Sequence, residues 1–172
     1  MLISICDKEF KDNVNIRFNN ISEGFNRFKS SILRENEYSK EESFEEKVIN
    51  FTMEAFRLNG EENSYVDFYY NELEDEAKIR LEELLNEKDK EFLCKFKNGN
   101  KGTGIYFRLT EESIPFITRL NTMEILFCTI YFVKEACTIW GNYNKSFPIL
   151  YENDEVIDKY KIIAEKSNLV VE

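Results

Sequence analysis

The spacing of apolar residues changes partway along this chain, and that change limits what it can fold into. Up to about residue 87 apolar positions recur mainly at helical intervals, and beyond it several short runs place them at every second residue. Helices followed by alternating strands predict an α+β fold. The expectation is a single domain over residues 1–172, with a largely antiparallel sheet of about five or six strands packed with three or four helices.

Three stripes carry the helical part. Ile21, Phe25, Phe28 and Ile32, behind an Asn20/Glu23 capping pair, predict a helix over 21–34. Ser43 and Glu46 open a second helix, with Phe44, Val48, Phe51, Ala55 and Leu58 on one face and Asn59-Gly60 as its stop. Asn71 and Glu74 open a third, reaching about residue 87, with Leu73, Ala77, Leu81, Leu84 and Leu85 as its buried stripe. A last helix over 154–167 presents Val156, Ile157, Tyr160, Ile163 and Ala164.

The strand part begins with Val14, Ile16 and Phe18, which alternate as a half-buried strand would, and with the run Tyr65 to Tyr70. Phe92, Cys94 and Phe96, then Ile105, Phe107 and Leu109, predict a hairpin around the glycine-rich stretch 98–104. A short helix or turn over 110–120 is interrupted by Pro115, and Met123 to Val133 reads as a central strand. Thr138–Trp140 and Phe147–Tyr151 form a second hairpin, with Pro148 placing the latter strand at an edge.

With 42% hydrophobic and 15% aromatic residues, the 172 residues hold ample material for a core. The start lacks a basic segment before an apolar one, and the longest apolar stretch, Ile125 to Val133, is about half of a membrane-spanning helix. A cytoplasmic protein without membrane insertion is expected. Abundant Asn, Lys, Ile and Phe beside scarce Ala, Arg, Gly and Pro fit AT-rich codons, as in a low-GC bacterium or its phages.

Histidine is absent, which removes the usual general base and the Ser-His and Cys-His nucleophile pairs. Cys6, Cys94, Cys128 and Cys137 lie too far apart for a zinc knuckle or redox motif and read as small apolar core residues. Gly99 to Gly104 resembles a phosphate loop only superficially, because a strand is predicted after it. Glu111-Glu112 and the acidic runs lack metal-ligand spacing. No catalytic residue, metal or cofactor is expected, and a binding function is favoured over an enzyme.

Charge gives the functional lead. Residues 1–86 carry 11 basic and 20 acidic side chains, whereas residues 87–172 carry 12 and 13, so nearly all of the net −10 belongs to the first half. Such a field repels phosphate backbones, which disfavours direct nucleic-acid binding, and attracts basic protein surfaces. The expected partner is a basic protein, in the manner of a toxin-neutralising immunity protein or a phage-encoded anti-defence inhibitor. Glu41, Glu42, Glu45, Glu46, Glu72, Asp75 and Glu76 would steer it, with Tyr38, Tyr65 and Tyr69 as anchors. A second candidate site is the turn holding the sole tryptophan, Trp140, with Asn142, Tyr143, Asn144 and Lys145, where aromatic and amide groups suit a small ligand. Two other readings follow: a small-ligand or nucleotide-binding domain, or an enzyme using carboxylates, with its pocket at loops 98–104 and 141–146, and a homo-oligomeric structural protein built on an edge strand near Phe147–Tyr151.

Overall fold

The computed structural model describes residues 1–36, 42–99 and 104–172. Among them the fold is α+β, with seven α-helices and one eight-stranded sheet whose paired strands all run antiparallel. In chain order these are β1 (Ile3–Ser4), α1 (Asp7–Asn13), α2 (Ile21–Arg27), β2 (Lys29–Glu35), α3 (Phe44–Asn59), β3 (Ser64–Asp67), α4 (Asp75–Leu84), α5 (Glu87–Gly99), β4 (Tyr106–Arg108), α6 (Ile114–Thr122), β5 (Ile130–Phe132), β6 (Cys137–Ile139), β7 (Ser146–Tyr151), α7 (Asp154–Lys166) and β8 (Leu169–Val171). The strand order is β1-β4-β3-β5-β6-β7-β2-β8. The sheet and the helix set are both larger than expected, because several segments divide into shorter elements.

The side-chain alternation of the strands gives the sheet two different faces. On one face Val66, Phe107, Ile130, Phe132, Ile139 and Ile149 join a large core with residues of α3, α5, α6 and α7. On the other, Tyr65 and Tyr131 meet Phe10 of α1, Ile5 and Val14 in a smaller cluster. Further along this second face α2 lies against β7 through Gly24, where a Cβ would stand 2.6 Å from a Leu150 methyl group. The glycine lets the helix approach that closely.

α3 forms as its sequence predicts. Ser43 and Glu46 complete a reciprocal capping box, and Gly60 leaves the helix with φ +87°, a backbone conformation suited to glycine. α7 also follows its stripe, with Ile157, Tyr160 and Ala164 buried. β6 and β7 pair as the expected hairpin, and β5 lies inside the sheet as expected of a central strand, though over three residues only.

Five expectations fail for identifiable reasons. Val14 and Ile16 are buried, but the chain there only links two helices and pairs with no strand among the described residues; Ile16 instead accepts a bond from the Thr138 hydroxyl. The helix expected over 21–34 stops at Arg27, since Ser31 and Leu33 turn inward with the period of a strand and pair with β7. Phe92, Cys94 and Phe96 lie on α5 rather than a strand: Phe92, Leu93 and Phe96 share the buried face while Cys94 is exposed. A spacing of four residues satisfies both periods, which is why the two phenylalanines misled. The segment 98–104 therefore joins a helix to a strand and is not a hairpin tip, and its residues 100–103 lie outside the described residues. Pro148 sits inside the sheet, between β6 and β2. It is tolerated because it faces Trp140, one residue past the end of β6, to which it offers its carbonyl without needing an N–H.

Pro115 starts α6 rather than interrupting it, since the first turn of a helix leaves its N–H without an intrahelical partner. Of the cysteines, Cys128 and Cys137 are buried as expected, whereas Cys6 and Cys94 are exposed.

Candidate functional sites

The stripe of α4 is wider than the core it covers. Leu81 and Leu85 are buried, yet Leu84 and Ile79 are each 59% exposed. Leu73, Ala77, Leu81 and Leu84 face Ile125 and Leu126 of the loop after α6 across an open groove of about 350 Å³. Glu74, Glu76 and Arg80 stand at its edge. Asp75 is fully exposed and only 4.0 Å from Lys78, and Glu76 lies 3.8 Å from Arg80. Such solvated pairs hold little energy, so these carboxylates remain available to an incoming charge.

The acidic residues singled out in the sequence divide by use. Glu76 lines this groove, and Glu72 and Asp75 are exposed next to its residues Leu73 and Glu74 in the chain; Tyr69 is 39% exposed but does not line it. Glu46 is taken up by the α3 cap, whose Ser43 donors hold its carboxyl below the ordinary range. Glu45 lies 3.9 Å from Arg119, itself clamped on buried Asp89. Glu42 is exposed. Glu41 and Tyr38 lie outside the described residues. Tyr65 cannot serve as a surface anchor: it is 2% exposed in the smaller core, its hydroxyl bound to the Glu62 carbonyl.

In the Trp140 turn most polar groups hold the turn itself. The Asn142 amide donates to the Ser146 carbonyl, and the Asn144 N–H donates to Glu124. Lys145 is 3.8 Å from Glu35 and lies over the Phe44 ring. Asn144 and Lys145 both take positive φ. Tyr143 is exposed with its ring edge-on to Phe127, and Trp140 lies 5.4 Å from Phe18 by ring centroids.

Sequence reasoning missed a second constellation, on the sheet's smaller face. A cleft of about 140 Å³ opens there between α1 and α2, lined by Phe10, Lys11, Arg17, Phe18, Asn19, Glu23, Arg27, Tyr106 and Tyr131. Beneath it lies Asp67, 3% exposed and paired with no cation among the described residues. Its carboxylate accepts the Thr129 N–H and, at 3.0 Å, the Tyr131 hydroxyl. Burial pushes this carboxyl up to about 6, hydrogen bonding from Thr129 and Tyr131 opposing it only in part. The same burial, with the Asp67 charge nearby, pushes the Tyr106 hydroxyl up as well. The one legible trace was a charged residue inside the apolar run Tyr65-Val66-Asp67-Phe68; the pairing of β3 with β4 and β5 that surrounds it is not readable from sequence.

Among the described residues no group of three or more His, Cys, Asp or Glu side chains could hold a metal ion, and no helix is long and apolar enough to cross a membrane. No protein-family model, curated protein or solved structure matches the chain.

Proposed function

We propose that this chain acts by binding another protein rather than by catalysis, as an inhibitor whose acidic side docks on a basic surface and masks it. The observation that carries the reading is the α4 groove: an apolar floor of Leu73, Ala77, Leu84 and Leu126, left open to solvent, beside carboxylates that the fold leaves exposed. An apolar floor supplies the desolvated contact and the carboxylates supply steering, which suits an amphipathic basic segment on the partner. A partner that binds nucleic acid has such a surface, and covering it would block that function.

The test is affinity capture from a lysate of the source organism, with the tagged chain and a charge-reversed variant, E72K/D75K/E76K, washed at low and then high salt. A basic protein held by the wild type, released by salt and lost in the variant is the expected result. A partner held equally by both chains, or none held by the wild type, would overturn the reading. The salt response follows because exposed charges more than a Debye length apart are screened, at about 8 Å in physiological salt.

A further inference from the structure

The residues lining the cleft on the sheet's smaller face carry more positive than negative charge, the reverse of the chain as a whole, and the Asp67 carboxylate lies beneath them. Of the described charged residues lining it, three are cations, Lys11, Arg17 and Arg27, and one is an anion, Glu23. Glu23 is already engaged, 2.6 Å from Arg27 and accepting the Asn19 N–H, which hold its carboxyl below the ordinary range. Asp7 lies 3.9 Å from Lys11 at the margin. Arg17 spends one nitrogen on the Val14 carbonyl, and Arg27 spends one on Glu23 and the Arg17 carbonyl. Each guanidinium keeps further N–H donors, and their forked geometry matches two oxygens of one oxyanion.

The remaining wall is aromatic. Phe10 and Tyr106 stack at 3.7 Å with planes 8° apart, Tyr131 meets Phe10 edge-on, and Phe18 closes another side. Tyr131 is held from behind by Asp67, so this floor is fixed before anything enters. Flat rings next to unspent guanidinium donors form a site with two demands, a planar apolar body and an oxyanion.

We propose that this cleft binds a small aromatic oxyanion, a flat ring bearing a phosphate or carboxylate, whose head group bridges Arg17 and Arg27 while its ring lies against the Tyr106 and Phe18 side of the cleft. The site is separate from the α4 groove, and binding there does not depend on a protein partner.

The full-length chain should be titrated by calorimetry with phenyl phosphate, benzoate, inorganic phosphate and benzyl alcohol, and its fluorescence followed in parallel. Trp140 is the sole tryptophan and neighbours Phe18, so a ligand in the cleft is expected to change its emission. Saturable binding of phenyl phosphate or benzoate is expected, the tighter of the two naming the head group, with benzyl alcohol at least about tenfold weaker. Arg17→Gln and Arg27→Gln should each weaken it about tenfold, with unchanged thermal midpoints showing that the fold is intact. Should Arg27→Gln lower the midpoint by releasing Glu23, Arg17→Gln alone decides. No binding by either aromatic anion, undiminished binding in Arg17→Gln, or benzyl alcohol binding as tightly as the anions would overturn the proposal. Inorganic phosphate binding as tightly as phenyl phosphate would overturn the ring's part in it. E72K/D75K/E76K should bind as the wild type does, which separates this outcome from that of the partner experiment.

Discussion

The α4 groove and the cleft over β3, β4 and β5 treat carboxylates in opposite ways. At the groove Glu76 is 89% exposed and Asp75 fully so, and their charge is left to the solvent. Beneath the cleft Asp67 is 3% exposed, accepts from neutral N–H and O–H donors, and titrates near 6. A third carboxylate, Asp89, is as buried as Asp67 but is clamped by Arg119, whose Nε lies 2.7 Å from it. Water, neutral donors and a cation are three ways of hosting the same group. A cation cancels the charge it hosts, whereas water and neutral donors leave it in place; at the groove that charge stands at the surface, where a partner can meet it directly.

The largest effect expected from this contrast is at Asp89. Arg119→Leu removes the cation and leaves the carboxylate buried, with the Asn86 amide as its remaining side-chain donor among the described residues. Breaking a buried pair in this way costs about 3–5 kcal/mol. Urea unfolding at pH 7 should show that loss, and a change below about 1 kcal/mol would mean water reaches Asp89 as freely as it reaches Asp75.

Asp67 should give the next largest effect, and one that depends on pH. Its folded pKa of about 6 lies above the ordinary 3.8, so the stability held by the protonated form is complete below pH 3.8 and is lost as pH rises through 6. That difference corresponds to about 3 kcal/mol. Asp67→Asn cannot ionise, so wild type should lose about that much relative to the variant between pH 3.5 and 7.5. Comparing the two chains cancels Glu23, Glu46, Glu82 and Glu112, whose lowered pKa values act in the opposite direction as pH falls. A stability difference that stays constant with pH would mean that burial does not disfavour the ionised form of Asp67.

Elements whose signals are local were legible in the sequence. α3 carries its cap, stripe and stop within its own residues, and α7 its cap and stripe. Elements decided by what lies opposite were not. Ser30, Ser31 and Ile32 continue a helical count from Ile21, but pairing with Leu150, Ile149 and Pro148 draws them into β2. β8 adds an edge strand of only three residues, too short to show an alternation. The sites divide in the same way. The exposure of Glu72, Asp75 and Glu76 was legible because exposed charge is a property of composition and helix phase, whereas Tyr65 was misplaced because a tyrosine in a strand gives no sign of which face it takes. The cleft was invisible because Arg17, Arg27, Tyr106 and Tyr131 are far apart in sequence and meet only through the sheet register.

The smallest effect sharpens the comparison from the groove's side. Leu84 belongs to the apolar stripe of α4 by phase, and a sequence reading buries it; the fold leaves it 59% exposed. If the groove is open in solution, Leu84→Ser removes little buried surface, and urea unfolding should change by no more than about 0.5 kcal/mol. The same substitution should weaken partner capture, because the leucine would be covered only in the complex. A loss of about 2 kcal/mol or more would mean that the loop carrying Ile125 and Leu126 closes over α4 in the free chain. Leu84 would then belong to the core, and the exposed carboxylates beside it would border a closed surface with no floor to offer a partner.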